Sequence, residues 1–178
     1  MQRVLVLGPG GAGKSVLSRE LASITGLPLI HLDREFWKPG WVRPEPDEWR
    51  AKLDELLAAD GWIVDGTHVD TIDHRLARAD GAIVLDYSRW IAVRGVASRL
   101  LHRTGRRRPD LAPGCRNRLD RAYTSWVWTY DRVTKPLVEA ALSKHADHVR
   151  VARLTSRRHT ERWLSELRAR ATRGVINV

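Results

Sequence analysis

The sequence predicts an α/β fold built around a mainly parallel sheet, and three observations carry that prediction. Five short apolar runs alternate with stretches of helical periodicity. The first run stops at a glycine-rich octapeptide that leads into a helix, and three of the runs end in Asp. With 178 residues, 43% of them hydrophobic, the chain is long and apolar enough for one compact domain, 1–178, with a real core.

The elements follow in order. Val4-Leu5-Val6-Leu7 is a continuous apolar run of the kind buried parallel strands show, and it ends at glycines. Lys14 to Thr25 places Val16, Leu17, Leu21 and Ile24 on one helical face and is closed by Gly26 and Pro28. Leu29-Ile30-His31-Leu32 runs into Asp33, Trp62-Ile63-Val64 into Asp65-Gly66, and Ala82-Ile83-Val84-Leu85 into Asp86. The fifth run, 148–154, alternates, as a less fully covered strand does. Helices are expected at roughly 46–59, 70–79, 89–102, 119–143 and 158–171. Residues 104–118, rich in Gly, Pro and Arg, read as a long loop of the active-site-lid type.

Composition narrows the setting. A single Cys, Cys115, excludes an internal disulfide framework and a multi-cysteine zinc site, and it suits a reducing, cytoplasmic location. No run is long and apolar enough to span a bilayer, so no membrane-spanning segment is expected, and Met1-Gln2-Arg3 does not open a signal peptide. The formal net charge is +10, but it is unevenly spread. Residues 1–86 hold 10 basic and 14 acidic side chains, whereas 87–178 hold 21 basic and 7 acidic. Such asymmetry points to a polyanionic partner, whether a phosphorylated ligand, a membrane surface or a nucleic acid.

Gly8-Pro9-Gly10-Gly11-Ala12-Gly13-Lys14-Ser15 matches G-x-x-x-x-G-K-[ST] between a strand and a helix, the context that gives this pattern its meaning. Glycines let successive backbone N–H groups turn inward on phosphate oxygens, and the helix start adds its positive dipole end. Lys14 can reach the β- and γ-phosphates and the Ser15 hydroxyl can ligate Mg²⁺, so ATP and Mg²⁺ are the expected cofactors, with Val16 closing the binding stretch. GTPases need Asn-Lys-x-Asp, which is absent, and large mechanical ATPases usually need more chain. A small phosphotransferase with an acceptor pocket and a mobile lid remains.

Asp33 and Asp65 lie at strand ends beside that loop. A carboxylate there can hold Mg²⁺ through water or orient and deprotonate an acceptor hydroxyl; the bland alternative is a helix cap or a turn. Asp86 reads as a cap for the helix that follows. Ten arginines fall within 89–121, and 99, 103, 106 and 107 are spaced so that several share one helical face. Arginine forks clamp phosphate and neutralise a moving phosphoryl group. The general excess of Arg over Lys, 26 to 5, offers a solvated basic face instead. Trp37 and Trp41, flanking Pro39-Gly40, could stack on a base or sugar or pack an insertion. Trp126 and Trp128, two apart, read as core packing, and His31, His68 and His74 as polar lining or structure.

Together these residues resemble the adenylate-kinase-like P-loop kinases, and within them the group known as DNA topology modulation proteins. The phosphate loop is shared widely. More specific are Asp33-x-x-Phe36-Trp37-x-Pro39-Gly40-Trp41 and Arg108-Pro109-Asp110-x-Ala112-x-Gly114-Cys115, and Trp62-Ile63-Val64-Asp65-Gly66-Thr67, Thr71-Ile72-Asp73-His74-Arg75 and Trp126-Val127-Trp128-Thr129-Tyr130 match as well. The likeness runs over about residues 3–165. It implies a three-layer P-loop NTPase fold with a five-stranded parallel sheet, a helical acceptor-binding insertion at about 34–60 and an Arg-rich lid at about 104–118. It implies transfer of the ATP γ-phosphoryl group to a small acceptor, a nucleotide, nucleoside or hydroxyl metabolite. Asp65-Gly66 and Arg75 would then face the acceptor, with Arg107 in the lid, and Arg99 and Arg103 would approach ATP. Leu32-Asp33 stands where adenylate kinases carry Thr-Gly and is closer to shikimate and gluconate kinases, whose acceptor is a hydroxyl. The alternative of another class is a nucleic-acid-binding protein in which ATP binding is regulatory. The sequence leaves the oligomeric state open.

Overall fold

A computed structural model of the chain describes residues 1–101, 110–115 and 121–173, with only the backbone described at 99–101. Arg103, Arg107 and the Arg99 side chain therefore lie outside the described residues, as does most of the expected lid.

Five strands, β1 (Arg3–Leu7), β2 (Leu29–His31), β3 (Trp62–Asp65), β4 (Gly81–Leu85) and β5 (Arg150–Leu154), form one sheet in the order β2-β3-β1-β4-β5. Every pairing is parallel. The helices are α1 (Lys14–Thr25), α2 (Leu32–Phe36), α3 (Pro46–Leu56), α4 (Ile72–Leu76), α5 (Arg89–Leu101), α6 (Arg121–Lys144) and α7 (Arg157–Thr172). Three expectations shift. The second strand stops at His31, so Asp33 belongs to the first turn of α2 instead of a strand end. The helix expected over 70–79 is a 3₁₀ turn at Val69–Thr71 followed by the short α4. The Asp86 carboxylate, expected to cap the following helix, pairs with Lys135 of α6 at 2.5 Å.

The strand alternation of β1 builds three layers. Leu5 and Leu7 face a core completed by Leu53, Leu76 and Val138, from α3, α4 and α6. Val4 and Val6 face Leu17, Leu21, Leu164 and Leu167, from α1 and α7. The central strands are buried on both faces, which is why their sequence is continuously apolar. β5 pairs with β4 alone and exposes residues along its length, which accounts for its alternating sequence. Because β2 and β3 lie on one side of β1 and β4 on the other, the chain reverses its winding beside β1, and ligand crevices form outside the carboxyl ends of strands at such a point.

Candidate active site

The phosphate loop leaves β1 at that edge. Gly13 caps α1 in the left-handed region (φ 97), and no side chain caps the helix start, which opens beside the loop. Gly11 is glycine for space: a Cβ there would lie 2.2 Å from the Ala92 carbonyl oxygen of α5. Lys14 Nζ donates to the Gly8 and Pro9 carbonyls at 3.0 and 3.1 Å. Thr67, buried after β3, ties the loop down twice: its hydroxyl donates to Gly8 O at 2.8 Å and accepts from Gly8 N–H at 3.1 Å. The adjacent Tyr130 phenol is held protonated, because burial raises its pKa far above the ordinary tyrosine range.

A cavity of about 420 Å³ opens beside the loop. It is lined by Gly10, Lys14 and Ser15 of the loop and by His31, Asp33, Asp65 and Gly66 from the ends of β2 and β3 and the start of α2. Trp37, Trp41 and Arg43 close one side, and Tyr123, Trp126 and Thr134 of α6 another. Gly8, Pro9, Gly11 and Ala12 shape the loop from beneath, buried, and Gly13 lies half-buried at the helix start; none of the five lines the cavity. Val16 is turned away and is 57% exposed.

The carboxylates come with histidines. His31 and Asp65 are cross-strand partners in the β2–β3 register, and His31 Nδ1 meets Asp65 Oδ2 at 2.9 Å. His68 Nε2 meets Asp33 Oδ1 at the same distance, with Asp33 about half exposed. Both pairs face the cavity. Neither was legible locally, since each joins residues more than thirty positions apart.

Arg75 departs from expectation. It is fully buried and sits behind the cavity wall instead of facing the acceptor. Its guanidinium donates to three successive carbonyls, Gly66 O at 2.9 Å, Thr67 O at 2.6 Å and His68 O at 2.7 Å. Burial pushes its pKa down to about 9, which still leaves it charged at neutral pH. The turn it clamps is strained, with His68 at φ 23.

The tryptophans divide by place. Trp37 packs edge-on against Phe36 and Trp41, with the Arg43 guanidinium 5.8 Å from its ring. Lys38 and Trp41 close the Pro39-Gly40 turn, the Trp41 N–H donating to Lys38 O at 3.1 Å. Trp126 packs against the Ala92, Val96 and Val127 cluster and also borders the cavity, donating through Nε1 to Thr134 Oγ1 at 3.1 Å. Trp128, 46% exposed, stacks edge-on against exposed Trp90. Trp62 and Trp49 are the buried ones.

From the described part of the lid, Asp110 reaches back to the loop, with Ser15 Oγ donating to its Oδ2 at 3.3 Å. Cys115 donates to Lys38 O at 3.4 Å. Residues 110–115 thus bridge the phosphate loop and the tryptophan turn. A hydroxyl and a carboxylate side by side are hard oxygen donors of the kind a divalent cation takes, and Lys14 with an uncapped helix start suits a polyphosphate. The donor set fits Mg²⁺ and ATP.

Comparison with known proteins agrees with this geometry. A 95-residue stretch, 52% of this chain, is 32% identical to the adenylate kinases of Thermotoga petrophila and Thermotoga maritima. That match spans 42% of the length of those relatives. No family model matches. A shikimate kinase from Acinetobacter baumannii, solved in complex with shikimate, superposes with a TM-score of 0.61 over 99% of this chain and 96% of its own, at 12% identity. The fold is a P-loop kinase fold. Among the described residues, no helix is long and apolar enough to cross a membrane.

Proposed function

We propose that this protein is an ATP-dependent small-molecule kinase, transferring the γ-phosphoryl group to an acceptor held between Asp33, Asp65 and the tryptophan turn. The observation that carries this reading is a cavity lined both by the phosphate loop and by the Asp33 and Asp65 carboxylates. Phosphoryl transfer asks mostly for positioning and charge stabilisation, and this lining offers both.

In this reading N–H groups of the phosphate loop after Pro9 and of the first turn of α1 receive the β- and γ-phosphates. Lys14 exchanges its two carbonyl partners for phosphate oxygens and stabilises the moving group. Ser15 and Asp110 are the residues that would hold Mg²⁺, which when bound neutralises phosphate charge. Asp33 orients the acceptor, Gly66 lets it approach the β3 end, and Trp37 and Trp41 cover its apolar side. Arg99 and Arg103, ahead of the lid, would approach the ATP phosphates, and Arg107 would act from the lid. The likeness to the DNA topology modulation group is retained, supported by the cavity-lining places of Trp37, Trp41 and Asp110 from its specific motifs.

The test is ADP formation from Mg-ATP across nucleoside monophosphates, nucleosides, sugars and hydroxy acids, for the wild type and Lys14→Ala. One acceptor class should stimulate turnover and yield a phosphorylated product, and Lys14→Ala should abolish it. Turnover that survives Lys14→Ala, or that no acceptor stimulates, refutes the proposal.

A further inference from the structure

The kinase reading leaves the acceptor's chemistry open, and the two histidine–carboxylate pairs bear on it. They are unequal. Asp33 is about half exposed and its Oδ1 is already bonded to His68. Asp65 is 5% exposed, its Oδ2 meets His31, and its Oδ1 is buried with no partner. A buried carboxylate with one hydrogen-bonding partner is committed to that partner, because an unpaired charge away from water is costly. Here the partner is an imidazole, itself 10% exposed, at the end of the neighbouring strand.

A carboxylate on one ring nitrogen fixes both the tautomer and the orientation of the ring. With Nδ1 turned to Asp65, the proton sits on Nδ1, and Nε2 is the nitrogen left with a lone pair. His31 lines the cavity. The second observation is charge. Among the described side chains that line the cavity, the carboxylates Asp33, Asp65, Asp70 and Asp110 outnumber the cations Lys14 and Arg43. A phosphate-bearing acceptor would be repelled by that lining, whereas a neutral or cationic compound would not.

Resting on the kinase reading, we infer that the His31–Asp65 pair is the subsite for an acceptor hydroxyl, on a compound that carries no phosphate, with His31 as its general base and Asp65 as the residue that positions the base. As the acceptor O–H bond breaks, its proton passes to His31 Nε2. The oxygen electron pair forms the new bond to the γ-phosphorus. The bond from that phosphorus to the bridging oxygen breaks, and its electron pair leaves on the nucleoside diphosphate. The imidazolium faces the Asp65 carboxylate and returns its proton to water as product departs. Asp33, held by His68, orients the acceptor's other polar groups.

The experiment pairs each neutral polyol, nucleoside and amino alcohol with its own phosphomonoester under Mg-ATP, identifies products by ³¹P NMR, and follows acceptor binding by calorimetry. The wild type should form phosphate esters on the unphosphorylated members. His31→Ala should lower kcat by about 10²–10³-fold with KM little changed, and added imidazole should restore part of the loss. Asp65→Asn, with the same circular dichroism spectrum as wild type, should lower kcat without imidazole rescue, since the ring stays in place with its tautomer released. A preference for phosphomonoesters, with phosphoanhydride products, overturns the inference while leaving the kinase reading intact. So does a His31→Ala enzyme that folds and either keeps wild-type kcat or gains nothing from imidazole. If no compound is phosphorylated at all, the kinase reading fails, and calorimetry then judges the subsite separately. Hydroxyl compounds that bind wild type and His31→Ala equally, or bind neither, overturn it.

Discussion

At the scale of single residues, Arg75 shows how position overrides chemical type. The family resemblance implies an arginine reaching for substrate, yet it is sealed beneath the Gly66–His68 turn with three carbonyls as partners. Through Thr67 and His68 that turn touches both the phosphate loop and Asp33, so one buried cation sets the spacing of the two. Arg75→Lys keeps the charge but replaces a planar fork with a single ammonium that cannot satisfy three diverging carbonyls. Each charge-assisted bond left unmade at such burial costs on the order of 1.5–3 kcal/mol, so Arg75→Lys should lose about 2–4 kcal/mol of stability. Urea unfolding measures it, and a midpoint equal to wild type would show that the clamp carries no weight. The same lesson applies to the histidines. Sequence supplied the phosphate loop, Asp33 and Asp65, whose neighbours along the chain betray them. His31 and His68 acquire their partners only through sheet register and a strained turn, which no local pattern records. Trp126 was more accessible: Tyr123, Trp126, Tyr130 and Thr134 recur at helical spacing, and all but the buried Tyr130 line the cavity.

Elements were legible wherever burial on both sides left an unbroken apolar run, as in β1, β3 and β4. Their ends were less so. The second strand yields at Leu32 to a helix because Leu32 is buried as the first residue of α2, so apolarity alone could not separate strand from helix there. Hidden too was the contact between the phosphate loop and α5. Gly95 lies within α5, and a Cβ on it would stand 2.1 Å from the Gly11 carbonyl oxygen. Helix propensity favours Ala over Gly in such an interior by about 1 kcal/mol. Backbone overlap opposes it, and overpacking of this kind costs about 1–3 kcal/mol or displaces the element. The overlap should win. Gly95→Ala should push the loop off its helix, weakening binding of a non-hydrolysable ATP analogue by about tenfold or more, with no gain in melting temperature. Calorimetric titration of the analogue decides, and unchanged affinity together with a higher melting temperature would mean that α5 does not support the loop.

Over the whole molecule, the uneven charge raises the choice between a polyphosphate clamp and a nucleic-acid footprint. In the described part of the basic half, several cations are already committed to carboxylates across elements. Arg153 makes two bonds of 2.6 Å to Glu139, Arg168 pairs with Glu20 of α1, and Lys135 pairs with Asp86 after β4. Such pairs stitch α6, α7 and β5 to the rest of the fold. Each must be broken before its cation can serve a phosphate backbone. The cavity, by contrast, lies where the acidic half brings its loop and carboxylates together, and Asp110 of the arginine-rich segment reaches into it. Duplex DNA should therefore bind weakly and by charge alone, with affinity collapsing by orders of magnitude between roughly 50 and 200 mM salt. Added at physiological ionic strength, it should leave acceptor-stimulated ADP formation unchanged. The opposite result would be DNA-stimulated turnover at that ionic strength, lost in Lys14→Ala and retained without any small acceptor. That outcome would make the basic half a nucleic-acid surface and the phosphate loop its regulator.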